Sequence, residues 1–175
     1  MLRTKPESIH RRRLSTLGEF GNLDLRDLSD DKVSFAYRTQ CFYSALDTLG
    51  LCQFVWGPSW QLYGPSETVE LVRAGTGWDA TLDELFTVGE RRINLLRAFN
   101  AREGIGREAD VLPKKLFEPL GGKGPTAGVA LTTDEFERAR ESYYRLAGCE
   151  PATGYPTREK LGQLGLEWLA PQISR

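Results

Sequence analysis

One amphipathic stretch, residues 81–104, constrains the fold more than any other part of this 175-residue chain. Thr81 and Glu84 have the spacing of a capping box, in which two side chains satisfy the free N–H groups of a helix start. The apolar residues that follow recur mostly at steps of three or four, which places them on one helix face. They are Leu82, Leu85, Phe86, Ile93, Leu96 and Phe99. The stretch therefore predicts a long helix with one face packed against other elements.

A second helix is predicted from Ser34 to the glycine at position 50. Its apolar residues fall on one side when the chain is helical: Phe35, Phe42, Leu46 and Leu49. Gly50 suits the left-handed conformation that commonly ends a helix, because it has no Cβ to clash there. Cys52 then lies in the turn just beyond the helix.

Three shorter helices are indicated by capping residues at their starts and glycines at their ends. These boundary pairs are Ser66 and Gly75, Thr132 or Thr133 and Gly148, and Thr157 and Gly165. The glycines and prolines of residues 104–129 predict an ordered loop or lid. No run alternates as a strand would. We expect one mainly α domain of about five helices with long ordered loops over residues 32–175, after a poorly defined N-terminal segment, residues 1–31.

The composition excludes several classes of function. A net charge of −1 gives no basic field for nucleic acid. No run approaches the ~20 apolar residues of a membrane span, and the first residues lack the apolar core of a secretory signal. We therefore expect a soluble cytoplasmic protein with neither nucleic acid nor membrane as partner. His10 is the single histidine, so the chain lacks the histidines that histidine-based catalysis or a multi-histidine metal site would need.

The three cysteines include no Cys-X-X-Cys pair, so neither a zinc knuckle nor a disulfide framework is indicated. From the residues alone, Cys52 can be either a small buried apolar residue or a ligand. Asp47 lies in the last turn of its helix, where the helix dipole disfavours a carboxylate. That position suggests a ligand with N–H donors.

The basic pairs Arg91-Arg92 and Lys114-Lys115 are interpreted as solvated helix faces. The loop LGGKGPTAG lacks the Gly-Lys-Ser/Thr ending of a phosphate loop.

Three segments carry a resemblance to a known family: DTLGLCQF, GERRINLLRAFNAREGIGREADVLPKKLFEPL and GYPTREKLGQLGL. In this order and spacing they resemble the C-terminal helical domain of the aldehyde ferredoxin oxidoreductases, which are tungsten- or molybdenum-pterin enzymes. The resemblance covers approximately residues 32–166. The segment ESYYRLAGCEPATGYPTREKL also resembles the last helix and tail of that family.

The resemblance implies a site at the Asp-X-X-Gly-Leu-Cys segment. By it, Cys52 is a ligand of a 4Fe-4S cluster, Asp47 accepts hydrogen bonds from the pterin ring, and Leu51 touches the pterin through its backbone. Thiolate ligands suit iron–sulfur clusters. The whole enzyme would oxidise an aldehyde with water to a carboxylic acid and pass the electrons through the cluster to ferredoxin. The resemblance does not distinguish tungsten from molybdenum, nor the substrate, nor the direction of the reaction.

The chain also departs from the family pattern. The other three cluster cysteines and the N-terminal β domain have no counterpart in it, and the surroundings of His10 do not match those of the family's active-site histidine. We therefore expect a C-terminal domain, a fragment or a split part of such an enzyme. The alternative is a stand-alone helical binding or structural module without catalytic activity. The isolated chain is expected to be inactive, without a stable cluster, and to expose apolar surface around Asp47–Cys52.

Overall fold

The computed structural model describes residues 14–18, 28–57 and 62–173. In these ranges six α-helices are present: α1 (Asp30–Thr48), α2 (Pro65–Thr76), α3 (Leu82–Arg102), α4 (Thr133–Ala147), α5 (Arg158–Gln163) and α6 (Ala170–Ile173). Short 3₁₀ turns form at Arg107–Ala109, Lys114–Phe117 and Glu167–Leu169. The same ranges contain no β-strand, only two isolated bridges. The predicted mainly α fold is confirmed. Residues 1–13 and 19–27, with His10 and most of the predicted N-terminal segment, lie outside the described residues.

The chain divides into two compact units, and the boundary falls inside α3, after Leu95. Residues 35–95 form the main part of the first unit. Its core contains the α1 residues Phe42, Ala45 and Leu46, none of which is exposed. Helices α1 and α3 approach closely, because Gly89 lies directly against the backbone of Cys41. This contact holds the C-terminal half of α1 against α3.

The second unit has residues 96–173 as its main part. Its apolar core gathers the last helices against α3: Ala98, Leu161, Leu164, Leu166 and Leu169. Beside this core, the guanidinium of Arg97 donates to Asp110 and to the carbonyl of Gly154, each at 2.9 Å. The hydroxyl of Tyr144 donates to the same Asp110 oxygen at 2.7 Å. These bonds tie the start of the predicted loop to α4, and the prediction of an ordered loop is confirmed there.

Two helix starts differ from those predicted. Helix α1 begins at Asp30 rather than at Ser34, since the backbone and hydroxyl of Ser29 accept from Val33 and Lys32 at its start. Helix α2 begins at Pro65, so Ser66 is not its N-cap. The carboxylate of Glu67 accepts the N–H of Gly64 at 2.8 Å, and this bond fixes the cap at Gly64, two residues before Ser66.

The remaining boundaries are mostly confirmed. The capping box of Thr81 and Glu84 is present, and α4 starts after the N-cap Thr132 and ends at Gly148. Gly75 lies inside α2, which ends instead at Gly77 with a φ of +73°. The predicted apolar stripe of α3 holds only in part. Leu96 and Phe99 are 51% and 55% exposed, because the core of the second unit uses Ala98 and Ala101 of α3 instead.

Candidate cofactor site at the end of the first helix

The C-terminus of α1 forms a Schellman motif around Gly50. The N–H of Leu51 donates to the carbonyl of Leu46 at 2.9 Å, and the N–H of Gly50 donates to the carbonyl of Asp47 at 3.2 Å. Gly50 has a φ of +69°, the left-handed conformation that this motif requires. The predicted helix end is therefore confirmed, and it directs the chain away from α1 immediately before Cys52.

Cys52 is an exposed free cysteine at the start of a turn. Its carbonyl accepts the N–H groups of Val55 and Trp56, each at 3.0 Å, so the backbone on the C-terminal side of the thiol is ordered. Cys41 and Cys149 are both buried, and burial raises the pKa of the Cys149 thiol above its ordinary value. The interpretation of Cys52 as a buried apolar residue is wrong, and it is the exposed one of the three cysteines.

The carboxylate of Asp47 is held by two donors of the same unit. The side-chain amide of Gln53 donates to Oδ1 at 2.7 Å, and Arg92 lies 3.1 Å from Oδ2. Arg92 also donates to the hydroxyl of Ser44 at 3.4 Å. These partners offset the unfavourable position of Asp47 in the last turn of α1, so that position does not by itself demand a ligand. A carboxylate has about four acceptor sites, which leaves capacity for a further donor.

Sequence reasoning missed Arg92 and Gln53 as members of this site. The interpretation of Arg92 as part of a solvated helix face is incomplete, because its side chain is 40% exposed but its guanidinium also bridges α3 to the end of α1. Nothing in the spacing relates positions 47 and 92, since their proximity depends on how α1 packs on α3. Gln53 is close in sequence, but only the turn at Gly50 brings its amide back to Asp47.

Leu51 can offer a ligand only part of its backbone. Its N–H is used within the helix-end motif, as it donates to Leu46. Its carbonyl accepts no hydrogen bond from the part of the chain that the structure describes. A backbone contact to a cofactor at this position would therefore use the carbonyl oxygen as acceptor.

Apolar side chains next to the site in sequence are exposed. Phe54 is 94% exposed and Leu62 is 73% exposed, both far from the burial usual for such residues. Tyr63 stacks on Trp56, with ring centroids 4.7 Å apart, and remains partly open to solvent. Phe54, two residues after Cys52, is therefore an exposed apolar side chain close in sequence to the Asp47–Cys52 segment, whereas a continuous apolar surface around that segment stays a prediction.

The residues present fit part of an iron–sulfur and pterin site. An exposed cysteine supplies the thiolate that iron–sulfur clusters use, and Asp47 and the Leu51 carbonyl supply acceptors for the N–H donors of a pterin ring. Over residues 14–18, 28–57 and 62–173, no group of three or more potential ligand side chains could hold a metal ion. A cluster bound at Cys52 would therefore need its other ligands from outside this group of residues.

Over the same ranges, no helix is both long and apolar enough to span a membrane.

Comparison with known proteins gives one family. Residues 4–166 match the family model described as aldehyde ferredoxin oxidoreductase, domains 2 & 3. The chain is similar to the tungsten-containing aldehyde ferredoxin oxidoreductases of Pyrococcus horikoshii, with 33% identity over 152 residues, and of Pyrococcus furiosus, with 32% over 151. Each alignment covers 86% of this chain and 24% of the relative. The chain thus spans about a quarter of the length of these relatives.

A solved structure has the same fold. The active site complex BamBC of benzoyl-coenzyme A reductase, in complex with 1,5-dienoyl-CoA, superposes with a TM-score of 0.67. The match covers 89% of this chain and 22% of that chain, at 23% sequence identity. At this identity the similarity establishes a shared fold and no shared activity.

Proposed function

Because this chain belongs to the aldehyde ferredoxin oxidoreductase family, we propose that it serves as the C-terminal helical domain of such an enzyme, as a fragment or as a split subunit. In the complete enzyme, the metal–pterin would supply the oxidation of an aldehyde with water to a carboxylic acid, two protons and two electrons, and the cluster would carry the electrons to ferredoxin. This chain would contribute one cluster ligand and one edge of the pterin site. Its own role is to hold and orient these groups.

The observation that carries the proposal is the exposed thiol of Cys52 directly after the end of α1. The other two cysteines are buried in their units, where a thiol is screened from any partner. Cys52 also follows a rigid helix terminus and begins an ordered turn, so its sulfur is presented from a fixed backbone. A ligand that must meet three further thiolates needs both properties, accessibility and a defined position.

Asp47 and Leu51 would form the edge that faces the pterin. The carboxylate of Asp47 already accepts from Gln53 and Arg92, which fixes the direction of its remaining acceptor sites. The Leu51 carbonyl belongs to the residue directly after Gly50. It accepts no hydrogen bond from the residues that the structure describes. Both are acceptors, which match the amino and ring N–H donors of a pterin.

The proposal requires partners that carry the rest of the site. Since relatives are about four times as long as the segment they share with this chain, the β domain and the three other cluster cysteines would come from a longer polypeptide or from a separate subunit. Ferredoxin would be the electron acceptor of the whole enzyme, in the cytoplasm. A tungsten-pterin and a molybdenum-pterin would present the same ring N–H donors to the acceptor atoms of this chain.

Co-expression with the product of the neighbouring reading frame tests the proposal. We expect the purified complex to contain iron, sulfide, pterin and either tungsten or molybdenum, and to oxidise an aldehyde from a panel with ferredoxin as acceptor. Cys52→Ser should remove most of the iron, whereas Cys149→Ala, a cysteine of the second unit, should retain it. A complex that keeps its cluster in Cys52→Ser would contradict the proposal. A chain that captures no such partner would instead be a stand-alone helical module.

A further inference from the structure

We propose that Asp47 and Gln53 form a clasp that positions the thiol of Cys52, with Arg92 as its anchor. The clasp is the hydrogen bond from the Gln53 amide to Asp47 Oδ1, at 2.7 Å. The inference rests on the proposed function, in which Cys52 is a metal ligand. In this proposal Gln53 and Arg92 are positioning residues that act through Cys52. Asp47 has the same positioning role in addition to its contact with the pterin.

The clasp closes the segment that carries the cysteine. Only five residues separate Asp47 from Gln53, and Cys52 is the last of them. On the helix side, the Schellman bonds at Gly50 and Leu51 fix the backbone. On the other side, the Val55 and Trp56 amides bind the Cys52 carbonyl. The Asp47–Gln53 bond joins these two ordered parts, so the peptide of Cys52 is held at both ends.

Arg92 connects the clasp to the core of the first unit. Its guanidinium approaches Oδ2 of Asp47 at 3.1 Å and donates to the Ser44 hydroxyl at 3.4 Å, while Ser44 itself is buried. The two carboxylate oxygens thus have different partners, one on α3 and one on the turn. Because α3 packs tightly on α1 at Gly89, the orientation of the carboxylate is set by the helix pair.

The clasp is better suited to positioning than to global stability. Asp47 and Arg92 are 38% and 40% exposed at their side chains. Exposed pairs of this kind contribute little to the free energy of unfolding. Their effect is instead local, because the bond removes motions of a short turn that carries an exposed sulfur. The carboxylate would also link the two cofactor sites, as it is the residue assigned to the pterin.

Backbone hydrogen exchange in the 175-residue chain tests the clasp without any cofactor. In Gln53→Ala, we expect the Val55 and Trp56 amides to exchange about three- to tenfold faster, the change that losing one ordinary hydrogen bond gives. Gln163→Ala is the matched control, since Gln163 is also an exposed amide bound to a carboxylate, that of Glu159. It should leave both rates unchanged. Equal rates in Gln53→Ala and in the unaltered chain would overturn the proposal.

A double-mutant cycle tests whether the effect passes through Asp47. We expect Asp47→Ala to accelerate exchange at least as much as Gln53→Ala, and the double variant to be no faster than Asp47→Ala alone. Additive acceleration would mean that the two residues act independently, which would contradict the clasp. Gln53→Lys, which restores an N–H donor to the carboxylate, should return the rates toward those of the unaltered chain.

A nitroxide label on Cys52 reports the position of the sulfur itself. Cys52 is the exposed one of the three cysteines, so labelling of the native chain is selective. We expect the electron paramagnetic resonance lines of the label to narrow in Gln53→Ala and in Asp47→Ala, because the label becomes more mobile. The urea midpoint of unfolding should stay close to that of the unaltered chain. An unchanged spectrum would overturn the positioning role. This outcome is distinct from failure of the proposed function, which is decided by the iron content of the Cys52→Ser complex.

Discussion

Gly89 of α3 and Cys41 of α1 touch through their backbones. A Cβ at position 89 would lie 1.8 Å from the carbonyl oxygen of Cys41 and 2.9 Å from the amide nitrogen of Ala45. Both atoms belong to a helix backbone, which cannot shift without moving α1. Since Asp47 and Arg92 meet one to two turns further along these helices, the site at the end of α1 depends on this contact.

We therefore expect Gly89→Ala to destabilise the chain by about 3 kcal/mol or more, because forced overpacking displaces the two helices. Urea unfolding followed by circular dichroism measures the change. Gly75→Ala is the matched control, since Gly75 is also helical and an added Cβ there meets no atom within 4 Å. That change should be neutral or stabilising by up to about 1 kcal/mol. A Gly89→Ala chain as stable as Gly75→Ala would refute the close packing of α1 and α3.

Tyr144 makes stability depend on alkaline pH. Its ring is fully buried and its hydroxyl donates to Asp110. Burial, reinforced by this bond, raises the pKa of Tyr144 to about 12, above the value of 10.0 for an unperturbed tyrosine. The contribution of this raised pKa to the free energy of unfolding is complete below pH 10. It is lost as pH rises from about 10 to about 12, because the tyrosine of the unfolded state releases its proton first.

Denaturation of Tyr144→Phe and of the unaltered chain between pH 8 and pH 12 tests this dependence. Burial also raises the pKa of Tyr37, so the difference between the two chains is the informative quantity. We expect the variant to be less stable at pH 8, since Asp110 loses a donor, and to lose less stability over the alkaline range. Parallel curves for the two chains would contradict the assignment.

Glu135 makes stability depend on acid pH through the capping box of α4. The hydroxyl and the N–H of Thr132 donate to its carboxylate at 2.6 and 2.9 Å and lower the pKa of Glu135 from 4.5. As pH falls below about 4.5, the unfolded state binds the proton first, and the contribution is lost as pH passes through the lowered pKa. We expect Glu135→Gln to flatten this part of the stability profile.

Variants of Thr132 distinguish the effect of its capping hydroxyl on stability from the effect of the Glu135 charge. Thr132→Ala should cost about 1 kcal/mol at neutral pH, a typical value for a lost N-cap side chain. Thr132→Ser retains the hydroxyl and should stay close to the unaltered chain. If Thr132→Ala and Thr132→Ser unfold at the same urea concentration, the hydroxyl does not cap α4.

Local sequence rules predicted the helix end at Gly50, the capping box at Thr81 and a capping residue at Thr132 or Thr133, because each depends on residues close together in the sequence. The partners of Asp47 were not predictable in this way. Arg92 reaches it only through the packing of α1 on α3, and no spacing rule connects positions so distant in sequence. Propensity therefore placed Asp47 and Cys52 at a helix end but left open what surrounds them.

The stripe of α3 shows a second limit of periodicity. Leu85, Ile93 and Leu96 fit one apolar face, and the pattern predicts that such a face is covered. Leu85 and Ile93 are buried, while Leu96 is half exposed. Periodicity indicates where apolar surface lies, but it does not indicate whether this chain or another one covers it. Under the proposed function, the second case is expected, because other domains of the enzyme would cover this face.

The accessibility of the three thiols gives a direct check on the site. We expect one thiol per chain to react rapidly with a disulfide reagent under native conditions and three to react in denaturant, because Cys52 is exposed and both other cysteines are buried. Burial also raises the pKa of Cys149, which lowers its thiolate fraction and slows its reaction further. Mass spectrometry of the trapped peptides identifies the rapid site.

Cys52→Ser is the corresponding control, and it should abolish the rapid phase while leaving two slow thiols. Cys149→Ala should retain one rapid thiol, since the reactive residue is unchanged. Rapid modification of Cys41 or Cys149 would show that the cores around them open readily, and it would remove the basis for assigning Cys52 as the ligand presented by this chain. Protection of Cys52 after assembly with the partner subunit would, in contrast, support its place in a cluster, because a metal-bound thiolate is not free to attack.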